Sequence, residues 1–228
     1  MAETHDVVFL FDVDNTLLDN DRVTADLRRH LGKAFGEEQA KWYWDDFEAL
    51  RAELGYADYL GTLQRYRIEH PRDPHLLAVS TWLVNYPFAN RLFPGSLDAI
   101  DHCRQLGPVA ILSDGDVVFQ PRKVERSGLW DAVEGNVLIY IHKEEMLDDV
   151  EARLPARRYV MVDDKLRILD AMRRVWGERL VTIFPRQGHY ALDPELCARY
   201  GTAADVTLER VGELAELDLA ALLGGHAR

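Results

Sequence analysis

Near the start of the chain, Val7-Val8-Phe9-Leu10-Phe11 runs directly into Asp12-Val13-Asp14-Asn15-Thr16. The apolar run is too short for an ordinary helix. A short continuous apolar segment bounded by polar residues is the pattern of a strand buried on both faces, as at the centre of a parallel sheet. Such a strand delivers its last residues to the carboxyl edge of the sheet, where open α/β folds bind their ligands. Two carboxylates two positions apart, followed by a hydroxyl, make a hard, oxygen-rich site suited to a divalent cation and a phosphate. A calcium loop counted from Asp12 would need Gly at its sixth position and Glu at its twelfth, where Leu17 and Val23 stand. That reading fails.

After this strand the pattern becomes helical as far as Phe93. Thr24 is the expected cap of a helix carrying Leu27, Leu31 and Phe35 on one face. Tyr43, Phe47, Leu50 and Leu54 repeat at helical spacing, Tyr56, Leu60 and Leu63 continue it, and Asp73-Pro74 is the expected start of a helix with Leu76, Val79 and Leu83. Beyond Pro94-Gly95 strands and helices alternate. A helix with Leu97, Ile100 and Cys103 precedes a strand Val109-Ala110-Ile111-Leu112, and another runs from about Pro121 to Gly128. The next strand is Val137-Leu138-Ile139-Tyr140-Ile141, followed by a helix with Met146, Leu147 and Val150. Tyr159-Val160-Met161-Val162 leads to a helix with Leu166, Leu169 and Met172, then Leu180-Val181-Thr182-Ile183-Phe184, an edge strand at Asp205-Val206-Thr207-Leu208 and a last helix from Arg210 to Leu223. The expected fold is α/β, a doubly wound parallel sheet of Rossmann-like form (residues 1–17 and 94–228) with an all-helical insertion at 18–93.

A net charge of −12 argues against a nucleic-acid binder, because phosphate backbones need clustered cations. The two cysteines, Cys103 and Cys197, form no metal or disulfide framework, and neither has Arg at the spacing a cysteine phosphatase needs, where Val109 and Ala203 stand. No basic leader with an apolar segment opens the sequence and no apolar run reaches membrane-spanning length, so the expected location is cytoplasmic.

Several strands end in groups able to do chemistry: Asp12 and Asp14, Ser113 and Asp114, Lys143, and Asp163 with Asp164. In a parallel sheet all these ends lie on one edge and converge. With Asp12-Val13-Asp14-Asn15-Thr16 as a DxDxT motif, a strand ending in Ser113, a lysine at 143 and an acidic pair at 163–164, the chain resembles the haloacid dehalogenase superfamily, in particular its magnesium-dependent phosphatases. The helical insertion resembles that family's cap.

The resemblance implies Asp12 as nucleophile, Asp14 as general acid and base, and Lys143 as the neutralising cation. It implies Mg²⁺ held by Asp12, the backbone carbonyl of Asp14 and Asp164, with Asp163 beside them orienting the lysine. Ser113 and the backbone N–H groups of Asp114 and Gly115 are the expected phosphate binders, with Thr16 assigned to the substrate side of the same loop. The expected partner is a small phosphorylated metabolite, with no nucleic acid and no membrane.

Two motifs depart from the family. Glu144-Glu145 follow Lys143 where many relatives have proline, and Asp114-Gly115-Asp116 is acidic for a phosphate site. Lys123 and Lys165 compete for the lysine role, Lys123 from within a helix and Lys165 one step too far along its loop. Trp42-Tyr43-Trp44 reads as bundle core rather than as a stacking platform, and Arg65 and Arg67 as a solvated helix face. His189-Tyr190 lies in a loop with no role. Beside the phosphatase stand a phosphotransferase or mutase, a dehalogenase of the same superfamily, and a regulatory module that kept the fold without turnover.

Overall fold

The computed structural model describes residues 4–225, so the outermost ends of the expected core, 1–3 and 226–228, lie outside the described residues. Six strands form one parallel sheet: β1 (His5–Phe11), β2 (Val109–Asp114), β3 (Val137–Tyr140), β4 (Ala156–Val162), β5 (Leu180–Pro185) and β6 (Val206–Leu208), in the order β3-β2-β1-β4-β5-β6. β1 is central, with Phe9 level with Val109 on one side and Val160 on the other. The chain winds outward through β2 and β3, then returns to β4 on the opposite side of β1. That reversal makes the crevice beyond β1 and β4 the topological switch point, the place such sheets use for ligands.

The unbroken apolar run in β1 follows from this position. Val8, Phe9, Leu10 and Phe11 are wholly buried. Successive side chains leave a strand on opposite faces. Val7, Phe9 and Phe11 accordingly join one core, while Val8 and Leu10 join the other with Leu112, Met161 and Leu169. The first core continues without a break into the insertion, through Leu27, Leu31, Tyr43, Phe47 and Leu83.

The insertion consists of α1 (Asn20–Phe35), α2 (Glu37–Leu54), α3 (Tyr59–Glu69) and α4 (Leu76–Asn85). Its two connections run side by side: Asp19 N–H donates to Arg91 O at 2.7 Å and Phe93 N–H to Leu17 O at 2.9 Å. α5 (Ser96–Arg104) and α6 (Phe119–Ser127) flank β2, and the later helices alternate with β3 to β6. No helix among the described residues is long and apolar enough to cross a membrane.

Several local expectations need correction. α1 begins four residues before Thr24, capped by Asp19, whose carboxylate accepts from Arg22 N–H at 2.8 Å. α4 begins at Leu76 because the Asp73 carboxylate turns the chain first, accepting from His75 N–H at 2.8 Å. Leu97, Ile141 and Met146 are exposed rather than core. The tail helix is broken: residues 211–216 form a 3₁₀ segment and Leu219–Gly225 a separate helix. Gly212 in that segment lies against Gly95 so closely that a Cβ on Gly95 would stand 2.6 Å from its Cα.

Candidate active site

Asp12 stands one residue past β1, Ser113 and Asp114 end β2, Lys143 opens a short 3₁₀ turn after β3, and Asp163-Asp164 follow β4. The sheet brings these groups together. Lys143 is fully buried, with Nζ 2.6 Å from Asp12 Oδ1, 2.6 Å from Asp163 Oδ2 and 3.2 Å from the Leu112 carbonyl. This places Lys143, not Lys123 or Lys165, against the carboxylate at the end of β1. Ser113 Oγ donates to Asp12 Oδ1 at 3.2 Å and accepts from Gln120 Nε2 at 3.1 Å.

Burial by itself would push Asp12 up, but the ammonium groups of Lys143 and Lys165 hold it below the ordinary carboxylate value. Asp163 rises to about 6 because burial outweighs the attraction of Lys143. Asp164 is also held well above the ordinary carboxylate value, again through burial, which the ammonium groups of Lys165 and Lys143 oppose and the charges of Asp163 and Asp12 reinforce. Lys143 is held protonated well above its usual range by Asp12, Asp163 and Asp114, against the pull of burial.

Oxygens of Asp12, Asp163 and Asp164 lie within 4.8 Å of one another. Asp12 Oδ2 and both oxygens of Asp164 are buried without a hydrogen-bond partner. Unpartnered buried carboxylate oxygens are costly, and a hard divalent cation is the group that satisfies several at once. The donor set therefore fits Mg²⁺. Asp163 belongs to the cluster more closely than expected, whereas the Asp14 carboxylate turns away from it, leaving only the Asp14 backbone carbonyl for the expected metal role.

Asp14 occupies the wall of the site. Its Oδ1 lies 2.6 Å from Lys123 Nζ, and its Oδ2 lies 3.5 Å from Gln120 Nε2. The neighbouring Asn15 adopts φ +63°, a left-handed conformation that asparagine tolerates. Its Oδ1 accepts from Asn20 N–H and Asp21 N–H at 3.0 and 3.1 Å, satisfying donors that the first turn of α1 leaves free. The motif loop thus holds the first inserted helix directly.

The substrate-side expectations divide. Asp114 and Gly115 line the cavity, but Gly115 N–H donates to the Tyr140 carbonyl at 2.9 Å and is already committed. The Asp114 carboxylate accepts from Lys143 N–H at 2.8 Å and so braces the lysine turn. Thr16 is wholly buried, and its hydroxyl accepts from Asp164 N–H at 2.9 Å. It ties the two acidic loops together and does not line the cavity.

A cavity of about 750 Å³ opens between this sheet edge and the inserted helices. Trp44 and Tyr56 reach it from the insertion, Gln120, Lys165 and Tyr190 from the core. Trp44, Phe47, Tyr59 and Phe119 form an aromatic run with ring centroids 5.2, 4.7 and 5.2 Å apart. Of the Trp42-Tyr43-Trp44 run, Tyr43 is core, as expected, while Trp44 lines the cavity with the Arg28 guanidinium 3.9 Å from its ring centroid. His189 and Tyr190 lie in a short helix, Gly188–Ala191, rather than in a loop, and they do have a place here. His189 Nδ1 lies 2.6 Å from Asp21 Oδ1, and Arg51 of α2 donates to the Tyr190 hydroxyl. Lys165 also belongs to the site, its Nζ 5.2 Å from the Tyr190 ring centroid. Nothing in the local sequence marks these contacts, and two of them, His189 with Asp21 and Arg51 with Tyr190, join residues more than a hundred positions apart.

A haloacid dehalogenase-like hydrolase family model matches residues 7–175. A haloacid dehalogenase-like hydrolase from Burkholderia xenovorans LB400, described no more finely than that, is 64% identical over 94% of this chain and 99% of its own, with a TM-score of 0.89. Two further solved structures share the fold: the HAD-hydrolase YfnB of Bacillus subtilis bound to magnesium (16% identity, 94% and 98% coverage, TM-score 0.58) and the L-2-haloacid dehalogenase of Xanthobacter autotrophicus (20%, 92% and 97%, 0.57). No curated protein matches the chain. With the family model covering most of the sequence and the strand-end groups converging as they do, the chain belongs to the haloacid dehalogenase-like hydrolases.

Proposed function

We propose that this hydrolase is a magnesium-dependent phosphatase that cleaves a small phosphomonoester through an aspartyl-phosphate on Asp12. The observation that carries the reading is the cluster of Asp12, Asp163 and Asp164 with its unpartnered buried oxygens, together with a second carboxylate, Asp14, set apart on the wall. A dehalogenase of this superfamily attacks carbon with one aspartate and needs neither the second aspartate nor a metal. A module without turnover drew its support from the acidic second motif and the altered lysine motif, and Lys143 at 2.6 Å from Asp12 speaks against the latter.

Asp12, Asp164 and the Asp14 carbonyl would hold Mg²⁺, with Asp163 beside them. When bound, the ion lowers the repulsion between a carboxylate nucleophile and an anionic phosphoryl group. The chain's own residues do the rest. Lys143 and Ser113 fix the Asp12 carboxylate, and Lys143 neutralises charge that builds on the phosphoryl oxygens. An Asp12 oxygen bonds to phosphorus as the bond to the leaving oxygen breaks, and Asp14 supplies that oxygen's proton. Asp14 then takes a proton from the water that releases phosphate and restores Asp12. The inserted helices cover the cavity, exclude bulk water and choose the leaving group.

Purified protein assayed on a panel of phosphate esters, with Mg²⁺ and after chelation, tests the reading. Metal-dependent release of phosphate is expected, and Asp12→Asn should abolish it with the fold intact by circular dichroism. Full activity in that variant overturns the mechanism. Metal-independent turnover of 2-haloacids in place of phosphate esters returns the dehalogenase reading.

A further inference from the structure

Lys123 belongs to none of the motifs, yet it is among the most deeply buried charged residues of the chain. An ammonium group in such a place has lost its water, which is tolerated only where acceptors replace it. The acceptors are Asp14 Oδ1 at 2.6 Å and Asn20 Oδ1 at 3.0 Å. Asp14 lies past the hydrogen-bonded end of β1, with its side chain 27% exposed towards the cavity. Left to itself, a carboxylate there is repelled by Asp12, Asp163 and Asp164 and turns towards solvent. Lys123 opposes that rotation.

Gln120, three residues earlier on α6 and therefore on the same face, directs its amide at Ser113 Oγ and Asp14 Oδ2. Gln120 approaches closely only because Gly115 carries no side chain: a Cβ there would stand 2.7 Å from Gln120 Cβ. One oxygen of Asp14 is thus fastened, and the other is left with a long contact at the cavity wall.

We propose that Lys123 is the positioning residue for Asp14, fixing Oδ1 so that Oδ2 carries the proton to the leaving oxygen, and that Asn20 registers the first inserted helix to the same ammonium. The inference rests on the phosphomonoesterase reading. In the step concerned, the bond from phosphorus to the leaving oxygen breaks, its electron pair stays on that oxygen, and the proton on Asp14 Oδ2 neutralises it. Lys123 remains on Oδ1 throughout and transfers nothing. A general acid works only within hydrogen-bond reach of its target, so a small displacement is costly.

The test compares kcat/KM for p-nitrophenyl phosphate, whose leaving group departs without a proton, with that for phenyl phosphate, whose leaving group needs one. Asp14→Asn and Lys123→Met should each lose about tenfold or more extra on phenyl phosphate. Adding Lys123→Met to Asp14→Asn should bring no further asymmetry, and Asn20→Ala should show a smaller asymmetry of the same sign. A purely structural lysine would lower both substrates alike. Equal losses in Lys123→Met, or a further asymmetry when Lys123→Met is added to Asp14→Asn, overturn the proposal. If the Met variant does not fold, Lys123→Gln is read by the same ratio. An Asp14→Asn variant with no asymmetry sinks the acid assignment of the phosphatase reading itself; asymmetry in Asp14→Asn but not at Lys123 sinks this inference alone.

Discussion

At the floor of the site Lys143 meets Asp12 and Asp163 in complete burial, with Asp164 alongside and Lys165 as the second cation. On the wall Lys123 meets Asp14 alone, one charge to one, with the carboxylate partly open to the cavity. Three clustered carboxyl groups against two ammonium groups leave one carboxyl unmatched and oxygens without donors. The single pair on the wall leaves neither. The difference separates two uses of a buried lysine. Where charge is left uncompensated, the chain is built for another cation and a reacting anion. Where charge is balanced, it fixes the position of one group.

Breaking the floor should have the largest effect. Lys143→Met leaves Asp12 and Asp163 buried without their shared cation. Loss of one partner from a buried ion pair costs about 3–5 kcal/mol, and loss of one electrostatic contact to the transition state costs about 10²–10³ in kcat. Urea unfolding and steady-state kinetics measure the two. Lys123→Met should lose clearly less stability, because water can reach Asp14. Equal destabilisation by the two substitutions would erase the distinction between floor and wall.

The surplus charge of the floor makes a second, smaller prediction about pH. Asp163, raised to about 6, and Asp164, also raised, keep protons in the metal-free folded state that the unfolded chain has lost above about pH 4. The folded state then binds more protons than the unfolded one, so stability falls as pH rises through about 4 to 6 and beyond. Asp12, held low, acts in the opposite sense and loses its contribution only in stronger acid. Mg²⁺ displaces the retained protons, so its stabilisation should grow as pH rises from about 5 to about 7, through the Asp163 value of about 6, reaching about 2–3 kcal/mol at a hundredfold excess over its Kd. Thermal melts with and without Mg²⁺ across that range measure it. A Mg²⁺ effect that does not change with pH would mean the ion binds away from Asp163 and Asp164.

Much of the floor was legible in the sequence and little of the wall, for a physical reason. An apolar run ending in Asp12, or in Asp163-Asp164, encodes its own burial and its own place at the sheet edge. Parallel strands then bring the end of β3 to the same sheet edge, and the turn that Asp114 braces carries Lys143 to Asp12. Lys123 lies on a helix, and which way a helical side chain reaches depends on how α6 packs, which no local pattern states. The same holds for Arg51 and Tyr190, which meet across 139 residues. Asp19 and Thr24 are both good helix caps by composition. The choice between them is made by the pairing of residues 17–19 with 91–93, a contact between distant segments. The tail has helical spacing, but its first half is a 3₁₀ turn packed closely against Gly95 through Gly212, a contact between distant segments that no local pattern states.

Thr16 sharpens the comparison at its smallest scale, because it stands between floor and wall and belongs to the floor. Its hydroxyl accepts from the backbone of Asp164, 148 positions away in the chain, and so sets where an unpartnered carboxylate points. Thr16→Val keeps the shape and removes the acceptor, leaving a buried N–H unsatisfied at a cost of about 1–3 kcal/mol. The expected result is a drop of that size in urea, weaker Mg²⁺ stabilisation, and an unchanged KM. A residue that held the substrate's phosphate would behave in the reverse way, raising KM sharply with stability intact. That outcome would move Thr16 back to the substrate side and show that Asp164 is positioned by the β4 loop alone.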